Sequence, residues 1–180
     1  IADVVIIFRR AGHREGINSV REMITLSLEL GIHALTIYAF SQENWNRPTQ
    51  EISALMGLLE HYLSTERASL IEQGVRFRTI GRHELLPSSA QHWIRTTEKE
   101  TAHLDKLILT VALSYGGRAE IVDAVKTLVE NVQAGTVQPS RIDETTIQQY
   151  LYTHPLQDPD LLIRTSGETR ISNFLLWQLA

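Results

Sequence analysis

Leu107-Ile108-Leu109-Thr110-Val111-Ala112-Leu113 runs without a break into Ser114-Tyr115-Gly116-Gly117-Arg118. A continuous apolar run with β-branched residues reads as a strand buried on both faces, the kind found in parallel sheets. Working outward, Val75 to Ile80, Ala34 to Phe40 and Val4 to Phe8 resemble it, and Leu161-Leu162-Ile163 is a shorter fifth strand. Between them the apolar residues keep a helical period: Ile17, Val20, Ile24 and Leu28, then Ile52, Leu55, Met56, Leu59, Tyr62 and Leu63. A third helix is expected after Pro87 with Ser88 as its N-cap. A fourth starts near Gly117 and carries Ile121, Val122, Val125, Leu128 and Val132; Gly135 and Pro139 close it, and Asp143 opens a short one through Ile147 and Leu151. Strand and helix alternate throughout. This predicts an α/β fold, a mostly parallel central sheet flanked by helices with right-handed crossovers, and ligands beyond the carboxyl ends of the strands.

The 180 residues suit a single domain on a prior of about 150 per domain. Hydrophobic residues make up 43% and charged ones 21%, which excludes collagen, disorder and disulfide scaffolds. The absence of cysteine removes thiol nucleophiles and Cys-ligated zinc. A net charge of −4 argues against nucleic acid as a partner. No apolar run approaches the roughly 18 residues that cross a bilayer, and no signal peptide is evident, so a cytoplasmic protein is expected.

Four strand ends carry arginines, small residues and hydroxyls, the set that grips phosphate through guanidinium forks and backbone amides. They are Arg9 to Arg14, Ser41 to Pro48, Ser114 to Arg118, and Arg164 to Asn173. Taken singly these residues are bland: Arg14 and Arg118 read as solvated, Gly116-Gly117 as a turn, His13 as a helix-start residue, Glu43 as a solvated charge and Trp45 as a packing aromatic. Their convergence on one sheet edge points to a doubly phosphorylated ligand. Gly-x-x-x-x-Gly-Lys-Ser/Thr, Gly-x-Gly-x-x-Gly, Gly-x-Ser-x-Gly and His-Glu-x-x-His are all absent.

Gly12-His13-Arg14-Glu15-Gly16, Ala39 to Pro48 (AFSQENWNRP), Ser114 to Arg118 (SYGGR) and Asp160 to Gln178 (DLLIRTSGETRISNFLLWQ) together resemble the cis-prenyltransferase family of bacterial undecaprenyl diphosphate synthases. The resemblance covers essentially the whole chain. It implies a homodimeric, Mg2+-dependent enzyme that adds isopentenyl diphosphate to farnesyl diphosphate, making the undecaprenyl diphosphate carrier for cell-wall synthesis. The product would be delivered to the membrane by a chain peripheral to it. By motif, Asn44 and His13 are the implied catalytic residues. Arg9 and His13 match positions near the allylic diphosphate, while Ser41, Gln42, Glu43, Trp45 and Arg47 match the substrate-lining loop. Arg164, Arg170, Ile171 and Ser172 match the isopentenyl diphosphate grip.

Departures bear on the metal. The family's Asp-Gly-Asn-Gly-Arg-Trp segment, with its metal aspartate, is absent between Phe8 and Arg9, as is the family's glutamate beyond Ala180, so no metal ligand is assigned. Ser166 replaces a usual glycine. The abrupt Phe8-Arg9 junction and the apolar run ending at Ala180 predict a polypeptide longer than 180 residues, incomplete at both places. The rival readings are a non-catalytic homologue acting as partner subunit and a diphosphate-binding module. Finally, the helix from Glu51 to Gln73, roughly 35 Å long, is expected to wall an apolar tunnel with Ile52, Leu55, Met56, Leu59, Tyr62, Leu63, Leu70 and Ile71, although its periodicity alone fits ordinary core.

Overall fold

The structure, a computed structural model, describes residues 2–7, 13–165 and 167–180, with side chains throughout except at 6–7 and 13–17. Five strands form one sheet in the order β3-β4-β2-β1-β5: β1 Asp3–Ile7, β2 Ala34–Ser41, β3 Val75–Ile80, β4 Leu107–Tyr115 and β5 Leu161–Arg164. Every pair is parallel, as the unbroken apolar runs predict. Helices α1 His13–Glu29, α2 Thr49–Gln73 and α3 Ser88–Thr101 supply the first crossovers, and α4 Gly117–Gln133 with α5 Glu144–Gln148 lead to β5.

Alternation along the strands splits the interior in two. Leu35, Ile37, Leu109 and Val111 pack with Ile24, Met56, Leu63 and Ile94 from α1, α2 and α3. Val5, Tyr38, Ile80, Ala112 and Tyr115 face the other side and meet Phe174 and Leu175. A register shift in β2 between Tyr38 and Ser41 inserts a residue, so Phe40 joins the face of Ile37 despite the odd spacing. That places an aromatic ring directly beneath the loop after β2.

Two expectations are corrected. Ser88 is the first residue of α3 and not its N-cap; Pro87 holds the cap position and makes no side-chain bond there. On α4 the buried face is Gly117, Glu120, Ala124 and Leu128, while Val122 and Val125 are about half exposed. The carboxyl of Glu120 is what turns the helix: it accepts from the Tyr152 N–H at 2.9 Å, from Tyr115 Oη and from Gln178 Nε2, so its burial is paired. Asp143 caps α5 as expected, accepting the Thr146 N–H at 2.8 Å. At the β3 edge, the Phe77 N–H donates to Thr101 Oγ1 at 3.0 Å and the Thr79 N–H to Glu98 Oε1 at 2.8 Å.

Candidate active site

Strands β2, β4 and β5 deliver three loops to one edge of the sheet. After β2 the chain tightens into a 3₁₀ turn, Gln42–Asn46, closed by the Ser41 N–H donating to Asn44 Oδ1 at 3.2 Å. Trp45 is anchored twice: its ring meets Phe40 edge-on at 5.0 Å, and its Nε1 donates to Ser114 Oγ at 2.9 Å. Ser114 thus joins the loops after β2 and β4, from a left-handed backbone with φ +50°. Arg47 pairs with Glu51 at 2.6 Å, one turn into α2.

After β5, the Arg164 guanidinium turns back along its own loop. Its Nη1 donates to the Arg170 carbonyl and to Ser172 Oγ, the latter at 2.8 Å. Arg164 Nε is buried without a partner among the described residues. Arg170 is largely exposed and lies 3.3 Å from Glu168. Ile171 and Ser172 are exposed, and Ser172 and Asn173 are both left-handed, at φ +51° and +59°. Beneath them Phe174 stacks on Tyr38 with centroids 4.1 Å apart and meets Tyr115 edge-on at 5.5 Å. Those three rings fix the loop to the sheet, since aromatic pairs add to the area they bury.

Asn173, which the sequence reading did not single out, bridges the two sides. Its Nδ2 donates to Glu43 Oε1 at 2.9 Å and its Oδ1 accepts the Arg118 N–H at 3.0 Å. Partial burial works to raise the Glu43 carboxyl, but hydrogen bonds from Asn173, its own backbone and Ser41 hold it below the ordinary glutamate value. Burial pushes the Tyr38 hydroxyl up, and the Glu43 charge adds to this. Glu43 is therefore a carboxylate at neutral pH. Asparagine tolerates the left-handed conformation that Asn173 adopts better than most residues, but nothing in the sequence pattern marks that turn.

The structure therefore brings together Ser41, Gln42, Glu43, Asn44 and Trp45 in one turn, with Arg47 just beyond. Arg164, Arg170, Ile171 and Ser172 form a second group, reached through Asn173. Arg9, the side chain of His13 and Ser166 lie outside the described residues. Next to the first group an apolar cavity of about 160 Å³ opens between α2 and the sheet. Leu55, Met56, Leu58, Leu59 and Tyr62 form its helical wall, and Ile37, Phe40, Phe77 and Leu113 line it from the sheet. The helix wall is shorter than the sequence suggests: Leu63 and Leu70 are fully buried core, and Ile52 and Ile71 are not part of the lining.

A family model for undecaprenyl diphosphate synthase, among the prenyltransferases, matches residues 7–180. The chain belongs to that family. It is 49% identical over 172 residues to the isoprenyl transferase of Bacillus subtilis (strain 168), covering 96% of this chain and 66% of that protein. Against the ditrans,polycis-undecaprenyl-diphosphate synthase ((2E,6E)-farnesyl-diphosphate specific) of Escherichia coli (strain K12) it is 49% identical over 172 residues, covering 96% and 68%. The chain thus spans about two thirds of the length of these relatives. The crystal structure of lavandulyl diphosphate synthase from Lavandula x intermedia in complex with dimethylallyl diphosphate matches with a TM-score of 0.91 at 35% identity, over 98% of this chain and 82% of that one. The fold of this prenyltransferase-family chain agrees with that structural match.

The Mg2+ that the family resemblance implies does not fit the donors in hand. Among the described residues no three His, Asp or Glu side chains gather as a metal site. The carboxylates nearest the loops are engaged, Glu43 by Asn173 and Glu168 by Arg170. No helix is long and apolar enough to cross a membrane.

Proposed function

We propose that this chain catalyses cis-prenyl transfer, condensing isopentenyl diphosphate onto farnesyl diphosphate in successive steps toward undecaprenyl diphosphate. The observation that carries the reading is the apolar cavity lined by Phe40, whose ring meets Trp45 of the polar turn, so a place for a lipid tail neighbours a place for its diphosphate head. The family membership and the farnesyl-specific relative support it.

In this reading Arg9 and His13 meet the allylic diphosphate, with Ser41, Gln42, Glu43, Trp45 and Arg47 lining its path into the cavity. Arg164, Arg170, Ile171 and Ser172 hold isopentenyl diphosphate. The allylic carbon–oxygen bond breaks, guanidinium groups stabilise the departing diphosphate, the isopentenyl double bond attacks the allylic carbon, and a proton leaves the adjacent carbon. An alkene is a weak nucleophile, so holding two tethered chains in register supplies much of the acceleration, on the order of 7 to 11 kcal/mol for well-oriented partners. Asn44 is a poor base as a neutral amide. Its Oδ1 is taken by the Ser41 N–H, while its Nδ2, which makes no hydrogen bond among the described residues, orients the diphosphate oxygen or water that takes the proton. Magnesium is the expected cofactor of the family; since the described residues do not assemble its site, no step here is routed through it. The single domain, a homodimeric assembly and a peripheral cytoplasmic location belong to the same proposal.

Incubating the protein with farnesyl diphosphate, isopentenyl diphosphate and magnesium chloride, and weighing the products by mass spectrometry, tests it. A ladder of polyprenyl diphosphates spaced by one isoprene unit is expected. Absence of any condensation would favour the rival reading of a non-catalytic partner subunit, which the missing aspartate between Phe8 and Arg9 motivates.

A further inference from the structure

Asn173 stands where three strand-end loops meet. It belongs to the segment after β5, its Nδ2 reaches Glu43 in the turn after β2, and its Oδ1 and its carbonyl take the Arg118 and Gly117 N–H groups, at 3.0 and 2.7 Å, at the start of α4 just beyond β4. Gly116 keeps room for this junction. A Cβ there would lie 2.7 Å from Asn173 Nδ2 and 3.2 Å from Gln42 Oε1. The Gly116 backbone is extended, a conformation open to any residue, so what glycine supplies is space around the Asn173 amide.

From this geometry we infer that Asn173 is a positioning residue that couples the isopentenyl diphosphate grip to the Glu43–Asn44 turn, an inference that rests on the substrate assignment above. Ser172 accepts from Arg164, and the next residue holds Glu43. One planar peptide joins the two, so a shift at Ser172 reaches Asn173 through a single linkage. An anion that draws Arg164 away from Ser172 therefore rotates the Asn173 amide and moves Glu43 and Asn44 with it. Isopentenyl diphosphate would in this way set, as it binds, the turn that orients the proton acceptor.

The link is readable without turnover, because Trp45 follows Asn44 and is held to the same loops. Isopentenyl diphosphate alone is added while tryptophan emission is recorded, and its affinity is measured by calorimetry. In the wild-type chain a change of emission is expected that disappears in Trp45→Phe. In Asn173→Ala the change should be lost while the dissociation constant stays within about threefold, since Arg164, Arg170 and Ser172 remain. Gly116→Ala, which crowds the amide without altering Asn173 or straining the backbone, should reproduce the loss and guards against a folding defect in the first variant. In turnover, Asn173→Asp, which keeps the acceptor for Arg118 but faces Glu43 with a second carboxylate, should lower kcat on the order of 10-fold with both KM values nearly unchanged. Combining it with Glu43→Gln exchanges donor and acceptor and should restore the rate to that of Glu43→Gln alone. An emission change that survives in folded Asn173→Ala, one that is absent from the wild-type chain, or losses that simply multiply in the Glu43/Asn173 double variant, would overturn the inference. A wild-type chain that shows the coupled emission but condenses nothing would overturn the prenyl-transfer reading and leave the link standing.

Discussion

The hydroxyl of Tyr62 is buried in the lining of an otherwise apolar cavity and has no hydrogen-bond partner among the described residues. Burial pushes its ionisation up, with the Glu66 charge adding and Arg21 opposing. A buried donor without a partner costs about 1 to 3 kcal/mol, whereas the ring contributes full packing. Tyr62→Phe is therefore expected to raise stability by about 1 kcal/mol in urea unfolding; a lower midpoint would show that the hydroxyl has a partner. Arg164 is the opposite case, with Nη1 committed to its own loop and a buried Nε left open. Arg164→Ala should raise the KM for isopentenyl diphosphate by an amount equivalent to about 2 kcal/mol or more, roughly 30-fold, with that for farnesyl diphosphate little changed. The reverse pattern would move this arginine to the allylic side.

Helix α2 has one apolar stripe whose duties change along its length. Leu59 lines the cavity and Leu63, four residues on, is fully buried among core side chains. Leu59→Trp should shorten the product while sparing the first condensation, and Leu63→Ala should instead lose about 2 to 5 kcal/mol of stability with product length unchanged. Mass spectra of the products and urea midpoints of both variants separate the two. Elsewhere α4 is tied to the end of β3 by Arg82, whose fork meets both oxygens of Asp123 at 2.8 Å, with Tyr152 donating to the same carboxylate. The Arg82 hydrogen bonds hold the Asp123 carboxyl below its ordinary value. A carboxyl lowered in the folded state contributes stability above its unfolded value, near 3.9, that is lost as pH falls through the folded one. Asp123→Asn is thus expected to cost about 1 to 2 kcal/mol at pH 7, and the gap to wild type should close below about pH 4. A gap independent of pH would assign the cost to packing.

Across the whole molecule, what was legible in the sequence is what repeats. All five strands stand where the sequence places them: β2 and β4 are continuous apolar runs buried on both faces, while β3 alternates around Arg76 and Arg78 and β5 is a short, half-exposed edge. Loops at strand ends were legible as candidate contacts because parallel topology sends every strand end to one edge. What escaped is set by single three-dimensional contacts. Periodicity gives α4 the apolar set Ile121, Val122, Val125, Leu128 and Val132, yet of these only Leu128 is buried, because Glu120 faces inward and bonds Tyr115 just before the helix and Tyr152 and Gln178, 32 and 58 residues away. Asn173 reads as one more polar loop residue until its partners 130 and 55 residues away are placed beside it. The cavity likewise required knowing which leucines of one stripe meet the sheet.

The side chains of Thr101 and Glu98 on the β3 edge also bear on how copies of the chain meet when concentrated or heated. Fibrils built by strand addition need two free edges on every molecule, one to accept a neighbour and one to offer. Here two backbone donors of β3 are already occupied by α3, so a newcomer strand would have to displace a threonine and a carboxylate to dock. Addition at β5 meets no such obstacle among the described residues, but without a second usable edge it ends after one step and does not propagate into a fibre.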